Sequence, residues 1–296
     1  MKGLIVINAY PNGEKFYTQA KRIAKELDLL GCPTDVKRNG EIFVALDENG
    51  GVTHNLAEDY AFIVYLDKDK YLGHALEACG YRLFNSAKAV EICDDKLRTY
   101  FALQGAGLTL AESIPAPLCY TPNAKADETF LNSVAERLGF PLVAKKSYGS
   151  FGAGVRLVHG IPELMKTAQE FLYEPHFYQR YISQSSGRDI RVIVVGGKAV
   201  AAMERVAQKG EFRSNVELGG KGELIDEALF EKYAPSAERA AAWLGLDYCG
   251  VDLLETEEGA VVCEVNSNAF FEGIEGVTGV NVAREYAMHI LRSIRS

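Results

Sequence analysis

The sequence predicts a chain of mixed α/β and α+β class: a small parallel α/β domain comes first, and antiparallel strands with covering helices follow. Three observations carry this expectation. Short apolar strands alternate with amphipathic helices up to about residue 94, hairpin signals replace that alternation further on, and no run approaches the roughly 18 apolar residues of a membrane span.

Leu4 to Asn8 is a compact apolar strand. Phe16, Ala20, Ile23, Ala24, Leu27 and Leu30 then recur at helical spacing, and the pattern stops at Gly31. A second apolar strand at 61–66, a helix over 71–79 and a short strand at 82–84 continue the alternation, so residues 1–94 are expected to form a first domain. The segment "DDKLRTYFALQGAG" reads as one helix, "AESIPAPLCYTPN" as a proline-marked extended connector, and 129–138 as the next helix. That helix leads into "FPLVAKKSYGSFGAGVRLV", a strand, a Gly/Ser loop and a second strand. Further strands are expected at 176–182, 190–195 and 198–206, with "VGGK" as a tight hairpin turn. A helix around 227–244, an apolar hairpin over 250–268 and an amphipathic helix at 281–294 close the chain.

With 296 residues, 48% of them hydrophobic, the chain can bury the core of two or three domains. Its net charge of −8 speaks against nucleic acid as a partner, and an acidic chain that binds a polyanion needs a divalent metal or clustered Lys and Arg. The six cysteines form no CxxC pair, and no His stands at zinc-ligand spacing. The apolar run after Met1 is too short for a signal peptide. A cytoplasmic protein with reduced thiols is expected.

The hairpin "GVDLLETEEGAVVCEVNSN" carries the first chemical signal. A hairpin symmetric about the turn Glu257-Glu258-Gly259 sets Asp252 opposite Glu264, with Asn266 on the same strand face as Glu264. Opposed like charges destabilise a strand pair, and the repulsion is relieved only when a dication sits between them. A solvated rim is the other reading of the same residues. The loop "KKSYGSFGAG" supplies Gly149, Gly152 and Gly154 with Ser147 and Ser150, small residues that let backbone N–H groups approach phosphate. The P-loop pattern GxxxxGK[ST] is absent, and a plain flexible turn has the same composition. Lys145 ends the strand entering this loop. Beyond it, "SGRDIRV" and "GEFRSN" bring Arg188, Asp189, Arg191, Arg213 and Asn215, where guanidinium groups suit bidentate contact with phosphate or carboxylate. Any one of these also reads as surface charge. Their order, lysine and glycine loop, then arginines, then carboxylate hairpin, supplies the parts that hold a nucleoside triphosphate, its metal and an anionic co-substrate.

These stretches, together with "DDKLRT", "YQRYI" and "EGIEGVTGVNVA", resemble the ATP-grasp ligases of the RimK type over residues 80–296; residues 1–80 resemble the family's first domain in outline only. The resemblance implies an ATP-grasp fold preceded by the small parallel α/β domain. It divides the chain into a first domain at 1–94, a central subdomain with a glycine-rich lid at 95–182, and a C-terminal subdomain with a metal site at 183–296. It implies that Lys96 and Lys145 contact ATP phosphates, that the lid with Ser150 and Gly152 covers them, and that Gln179, Arg180 and Tyr181 line the adenine. Asp189 would lie near ribose or substrate. Arg191, Arg213 and Asn215 would meet phosphate and acyl-phosphate charge, with the two arginines catalytic. Asp252, Glu264 and Asn266 would bind two Mg2+ or Mn2+ ions. Two departures stand out: Arg180 occupies a hinge position that is usually acidic, and "SNAFF", with Phe270 and Phe271, replaces the family's Ser-Ser-Pro-Gly after Asn266.

The implied activity is that of an ADP-forming carboxylate–amine ligase joining an amino acid such as glutamate to an amine or peptide, in a homo-oligomer. Two rivals are a non-catalytic ATP-binding interaction module of the same fold and a sugar- or dinucleotide-binding α/β protein. Having Asp252, Glu264, Asn266, Lys145 and Arg213 together favours the enzyme over the first. No GxGxxG follows the first strand, which disfavours the second.

Overall fold

The structure, a computed structural model, describes residues 1–10, 13–150, 152–214 and 219–295. The first layer is built from β1 (Gly3–Ile7), α1 (Lys15–Leu29), β2 (Thr34–Arg38), a small hairpin of β3 (Val44–Leu46) and β4 (Val52–His54), β5 (Phe62–Leu66), α2 (Lys70–Ala78) and β6 (Leu83–Phe84). Four strands form a parallel sheet in the order β2-β1-β5-β6. The central strands β1 and β5 are apolar and almost wholly buried, as strands covered on both faces must be. Edge strand β2, with sequence TDVKR, is half exposed, and its polar composition hides it from a search for apolar runs.

The helix expected over 94–107 is confined to 96–102, and a further helix that the sequence reading passes over precedes it. α3 (Ala87–Asp94) stops and α4 (Lys96–Ala102) starts at Asp95, whose extended backbone and carboxylate, accepting from the N–H groups of Leu97 and Arg98, form an N-cap. This break places Lys96 at the start of α4, where its N–H donates to the carbonyl of Ser147.

The second layer follows with β7 (Thr109–Leu110), β8 (Ser113–Pro115), α5 (Glu128–Leu138), β9 (Leu142–Lys146), β10 (Val155–Val158), α6 (Ile161–Phe171) and β11 (His176–Arg180). Its antiparallel sheet has the order β10-β9-β11-β8, and α5 and α6 pack on it through Leu131, Val134, Leu164 and Phe171. α6 is a helix the sequence reading passes over, although Pro162 in its first turn and Leu164, Ala168 and Phe171 on one face signal it.

The third layer holds β12 (Arg188–Val195), β13 (Lys198–Val206), β14 (Lys221–Leu224), α7 (Glu227–Leu244), β15 (Tyr248–Thr256), β16 (Gly259–Asn266), α8 (Glu272–Thr278) and α9 (Val282–Arg295). Its six-stranded sheet runs β14-β13-β12-β15-β16-β7, so β7 leaves the central stretch to pair in parallel with β16. α7 covers one face of this sheet. On the other face, α8 and α9 share a core with the first layer, in which Ile5, Ile23 and Leu27 join Ile193, Tyr248, Tyr286 and Ile290. Tyr248 and Tyr286 stack there with ring centroids 4.8 Å apart. Among the described residues, no helix is long and apolar enough to cross a membrane.

Candidate active site

Two hairpins of the third sheet set the charged residues, and each does so through a one-residue irregularity. β12 and β13 turn at Gly196-Gly197, with φ of +56° and +78°, the left-handed pair a tight hairpin turn requires. The register slips between Ile193 and Val194, after which Asp189 lies opposite Arg205. Without that slip Asp189 would face Glu204, a like charge. In the β15–β16 hairpin the turn is Glu257-Glu258, tighter by one residue than the sequence suggests, and a bulge at Cys263 restores the register. Asp252 therefore does face Glu264, with Gly250 opposite Asn266. A Cβ on Gly250 would lie 2.6 Å from that of Ala269, so only glycine lets the "SNAFF" segment close over this strand.

The expectation that a dication alone relieves the Asp252–Glu264 repulsion does not hold. Arg191, opposite Asp252 on β12, donates Nε and Nη2 to its two oxygens at 2.7 Å each. Arg205 adds an ion pair at 2.8 Å to the same carboxylate and binds Asp189 bidentately at 2.7 and 2.5 Å. The Ser214 hydroxyl donates to Asp189 at 2.6 Å. Asp252, Asp189 and Arg205 are each less than a tenth exposed, so this is a buried network of two carboxylates and two guanidiniums. Burial pushes the Asp252 carboxyl up, but Arg191 and then Arg205 outweigh it and hold its pKa below the ordinary value. Glu264, on the rim, has the Lys96 ammonium 3.5 Å away.

Two cavities adjoin at this network. The smaller, about 120 Å³, lies between the second and third sheets, and Lys145, Gln179, Arg180, Tyr181, Asp189, Arg213 and Asp252 all line it. The larger, about 340 Å³, opens between the strand ends of the first sheet and the third sheet, and is lined by Arg191, Ser150, Asn266 and the segment from Ser267 to Phe270. Lys96, Arg205 and Glu264 line both.

Lys145 is 9% exposed, and its ammonium lies 3.9 Å from the Cys263 sulfur with no carboxylate in reach among the described residues. The Cys263 thiol is pushed up by burial. Gln179 is buried and donates its side-chain amide to Ser113, while the Arg180 guanidinium turns to Glu112 and to the carbonyls of Arg137 and Leu138 at the end of α5. Both side chains are thus occupied, and β11 is paired on both edges, with the Arg180 N–H donating to the Glu112 carbonyl at 2.8 Å. The Tyr181 ring meets Phe212 edge-on at 6.4 Å.

The glycine loop is held by the cations around it: the Lys96 ammonium donates to the Gly149 carbonyl at 2.5 Å and Arg213 Nη1 to that of Gly152 at 2.8 Å. Arg213 also pairs with Glu211 at 2.7 Å, and that hydrogen bond draws the Glu211 carboxyl down to about 2. Asn215 lies outside the described residues.

Residues 94–290 match the family model of the RimK-like ATP-grasp domain, two thirds of the chain. The chain belongs to the RimK-like ATP-grasp family. A beta-citrylglutamate synthase B of Danio rerio is 33% identical over 235 residues, 79% of this chain and 56% of that protein. A probable alpha-L-glutamate ligase of Syntrophotalea carbinolica is 37% identical over 203 residues, 68% of this chain and 64% of its own length. The chain thus spans little more than half the length of these relatives. In fold it is similar to a RimK domain ATP-grasp protein from Sphaerobacter thermophilus, with TM-score 0.72 at 17% identity over 98% of this chain and 99% of that one. A D-alanine–D-alanine ligase from Bacillus anthracis superposes with TM-score 0.72 at 18% identity, covering 100% of this chain and 99% of the other.

The donor set on the third sheet suits a hard dication. Asp252 and Glu264 bring carboxylate oxygens and Asn266 an amide oxygen, the donors a hard dication takes, and both Asp252 oxygens also accept from Arg191. The set holds only two carboxylates, and no group of three His, Cys, Asp or Glu gathers among the described residues. Sequence reasoning missed Arg205, Ser214 and Glu211. Arg205 is concealed by the register slip. Glu211 stands two residues from Arg213, and that spacing is the signal that could have found it.

Proposed function

We propose that the chain is an ATP-dependent, ADP-forming ligase that joins a carboxylate to an amine through an acyl phosphate. One observation carries the proposal: a small cavity with a buried ammonium and a glycine loop meets a larger, mixed-charge cavity at Lys96, Arg205 and Glu264. Phosphoryl transfer between two bound substrates needs such a junction and little more than positioning and charge neutralisation. The names of the relatives, glutamate ligases and a citrylglutamate synthase, support the same reading.

In this reading the nucleotide occupies the smaller cavity, with adenine beside residues 179–181, which line it, and phosphates toward Lys145 and Lys96. The substrate carboxylate oxygen attacks the γ-phosphorus as ADP leaves, and the amine nitrogen, once its ammonium has given a proton to solvent, attacks the acyl carbon as inorganic phosphate leaves with the second proton. Lys96 and Arg213 release the carbonyls of Gly149 and Gly152 and turn to phosphate oxygens, so the loop closes as its tethers are exchanged. Arg191, fixed by Asp252, presents its remaining N–H groups to the transferring group. Asn215 would join them at the phosphates, and Asp189 acts by holding Arg205. Mg2+ or Mn2+, two ions in the family pattern, would be held by Asp252, Glu264 and Asn266 and would lower the repulsion between phosphate and carboxylate.

Boundaries near 94 and 182, a homo-oligomer and a cytoplasmic setting belong to the same proposal; six free thiols suit the last. The test is ADP release across paired acids and amines, starting with L-glutamate as amine against citrate, N-acetyl-L-aspartate and short peptides. ADP formation that requires both partners of one pair supports the ligase. Tight ATP binding with no turnover anywhere in the panel supports the interaction module instead.

A further inference from the structure

The first layer contributes a group to the larger cavity that neither phosphate chemistry nor metal binding uses. Asp67 stands one residue past β5 and Asn8 one residue past β1, at the carboxyl ends of the two central parallel strands, which pair Ile7 with Leu66. In open parallel sheets, ligands sit in the crevice outside those ends. Asp67 is 5% exposed and lines the cavity. Its Oδ1 accepts from Asn8 Nδ2 at 3.0 Å and from the Lys68 N–H at 2.7 Å. Its Oδ2 is buried and has no hydrogen-bond partner.

An unpaired carboxylate oxygen in the interior is costly and calls for a partner. Among the described residues none supplies one: the adjacent Lys68 ammonium is turned to Asp94 at 2.7 Å. Only three buried side-chain polar atoms among the described residues lack a partner, and two of them, Asp67 Oδ2 and Asn266 Nδ2, belong to residues lining this one cavity. Two such atoms on residues of one cavity mark it as a place where a polar ligand would be held. Burial pushes the Asp67 carboxyl up, against the pull of Asn8 and the Lys68 N–H, and a cation arriving beside it would draw it back down. The cavity's third-sheet wall already carries Arg191 and Arg205 for anionic groups, whereas its first-domain wall carries the carboxylates of Asp67 and Asp94, and Asp94 is already paired with Lys68.

We infer that Asp67 is the specificity residue that receives an ammonium of the substrate, and that the amine substrate is therefore bound against the first layer, through Oδ2 of Asp67. The inference rests on the ligase reading above. It assigns the substrate an amine that is charged when it binds, as in a free amino acid or a peptide N-terminus, and it excludes neutral amides and aromatic amines as good substrates.

The test compares two nucleophiles on one acid. With Mg-ATP and the best carboxylate of the ADP-release panel, amide formation with L-glutamate and hydroxamate formation with hydroxylamine are measured for the parent protein and for Asp67→Asn. Asparagine keeps the Oδ1 acceptor and places an N–H donor where the ammonium would sit. The ratio of kcat/KM for L-glutamate to that for hydroxylamine is expected to fall roughly ten- to a hundred-fold, carried by KM, as loss of a charge-assisted contact requires. A merely structural role lowers both reactions together and leaves the ratio unchanged, which overturns the inference. If instead KM rises for the acid, and only when that acid is itself an amino acid, the ammonium belongs to the acid, and ammonium recognition stands while its assignment to the amine falls. Asp67→Ser repeats the comparison if the asparagine variant does not fold. Absence of any hydroxamate with the parent protein contradicts the ligase reading itself, an outcome distinct from an unchanged ratio.

Discussion

Arg205→Met tests the buried network most severely. Arg205 is 3% exposed and makes three charged contacts, two to Asp189 and one to Asp252. Asp252 would keep both bonds from Arg191, but Asp189 would keep only the Ser214 hydroxyl. The cost is therefore that of one stranded carboxylate in the interior, about 3–5 kcal/mol, because methionine fills much of the volume. For a chain of this size that is a fall in Tm of roughly 6–20 °C. The assay is thermal and urea unfolding at neutral pH, with Asp189→Asn and the Asp189→Asn/Arg205→Met pair completing a double-mutant cycle. The double variant should recover about half of the single variant's loss, since the stranded charge is gone. A loss below about 1 kcal/mol for Arg205→Met, or a double variant that costs the sum of the two singles, would refute the claim that these charges hold each other.

Lys145→Met should raise the Kd for Mg-ATP roughly tenfold or more while leaving Tm equal or slightly higher, since the buried ammonium has no carboxylate partner among the described residues to lose; unchanged affinity in calorimetric titration rules Lys145 out of the site. Mg-ATP should slow hydrogen exchange at residues 147–150 and 152–154, because Lys96 and Arg213 exchange loop carbonyls for phosphates; equal rates with and without nucleotide contradict the lid. Glu211 has its carboxyl drawn from 4.5 to about 2 by Arg213, so its contribution is fully present above about pH 4.5 and is lost as pH falls toward 2. The Tm difference between the parent and Glu211→Gln should accordingly be flat near neutrality and shrink below pH 4.5; a difference that grows on acidification reverses the sign and sinks the argument.

Much of the fold is legible in the sequence wherever apolar periodicity and turn chemistry agree. Strands β1 and β5 and helices α1, α5 and α7 are of this kind. Elements whose signals are polar or local are not: β2 reads TDVKR, and the short helix α3 ends just where the Asp95 cap starts α4. The charged site is legible in composition and spacing, since Lys96, Lys145, Arg191, Arg213, Asp252 and Glu264 all line the two cavities. Its pairing is not. The slip beside Val194 and the bulge at Cys263 decide who faces whom, and single extra residues of that kind leave no mark on a pattern of period two. Asp67 likewise looks like the ordinary end of a strand until the structure shows one of its oxygens without a partner.

The central claim is transfer of phosphate to the substrate carboxylate where the two cavities meet. Supplying the acid substrate with both carboxylate oxygens as 18O, and following the inorganic phosphate by mass spectrometry or by the isotope shift of its 31P resonance, tests it directly. An acyl phosphate predicts one 18O atom in each phosphate released, with ADP formed in equal amount and the second label retained in the amide. Amide formation with unlabelled phosphate, or with AMP as the nucleotide product, would contradict it.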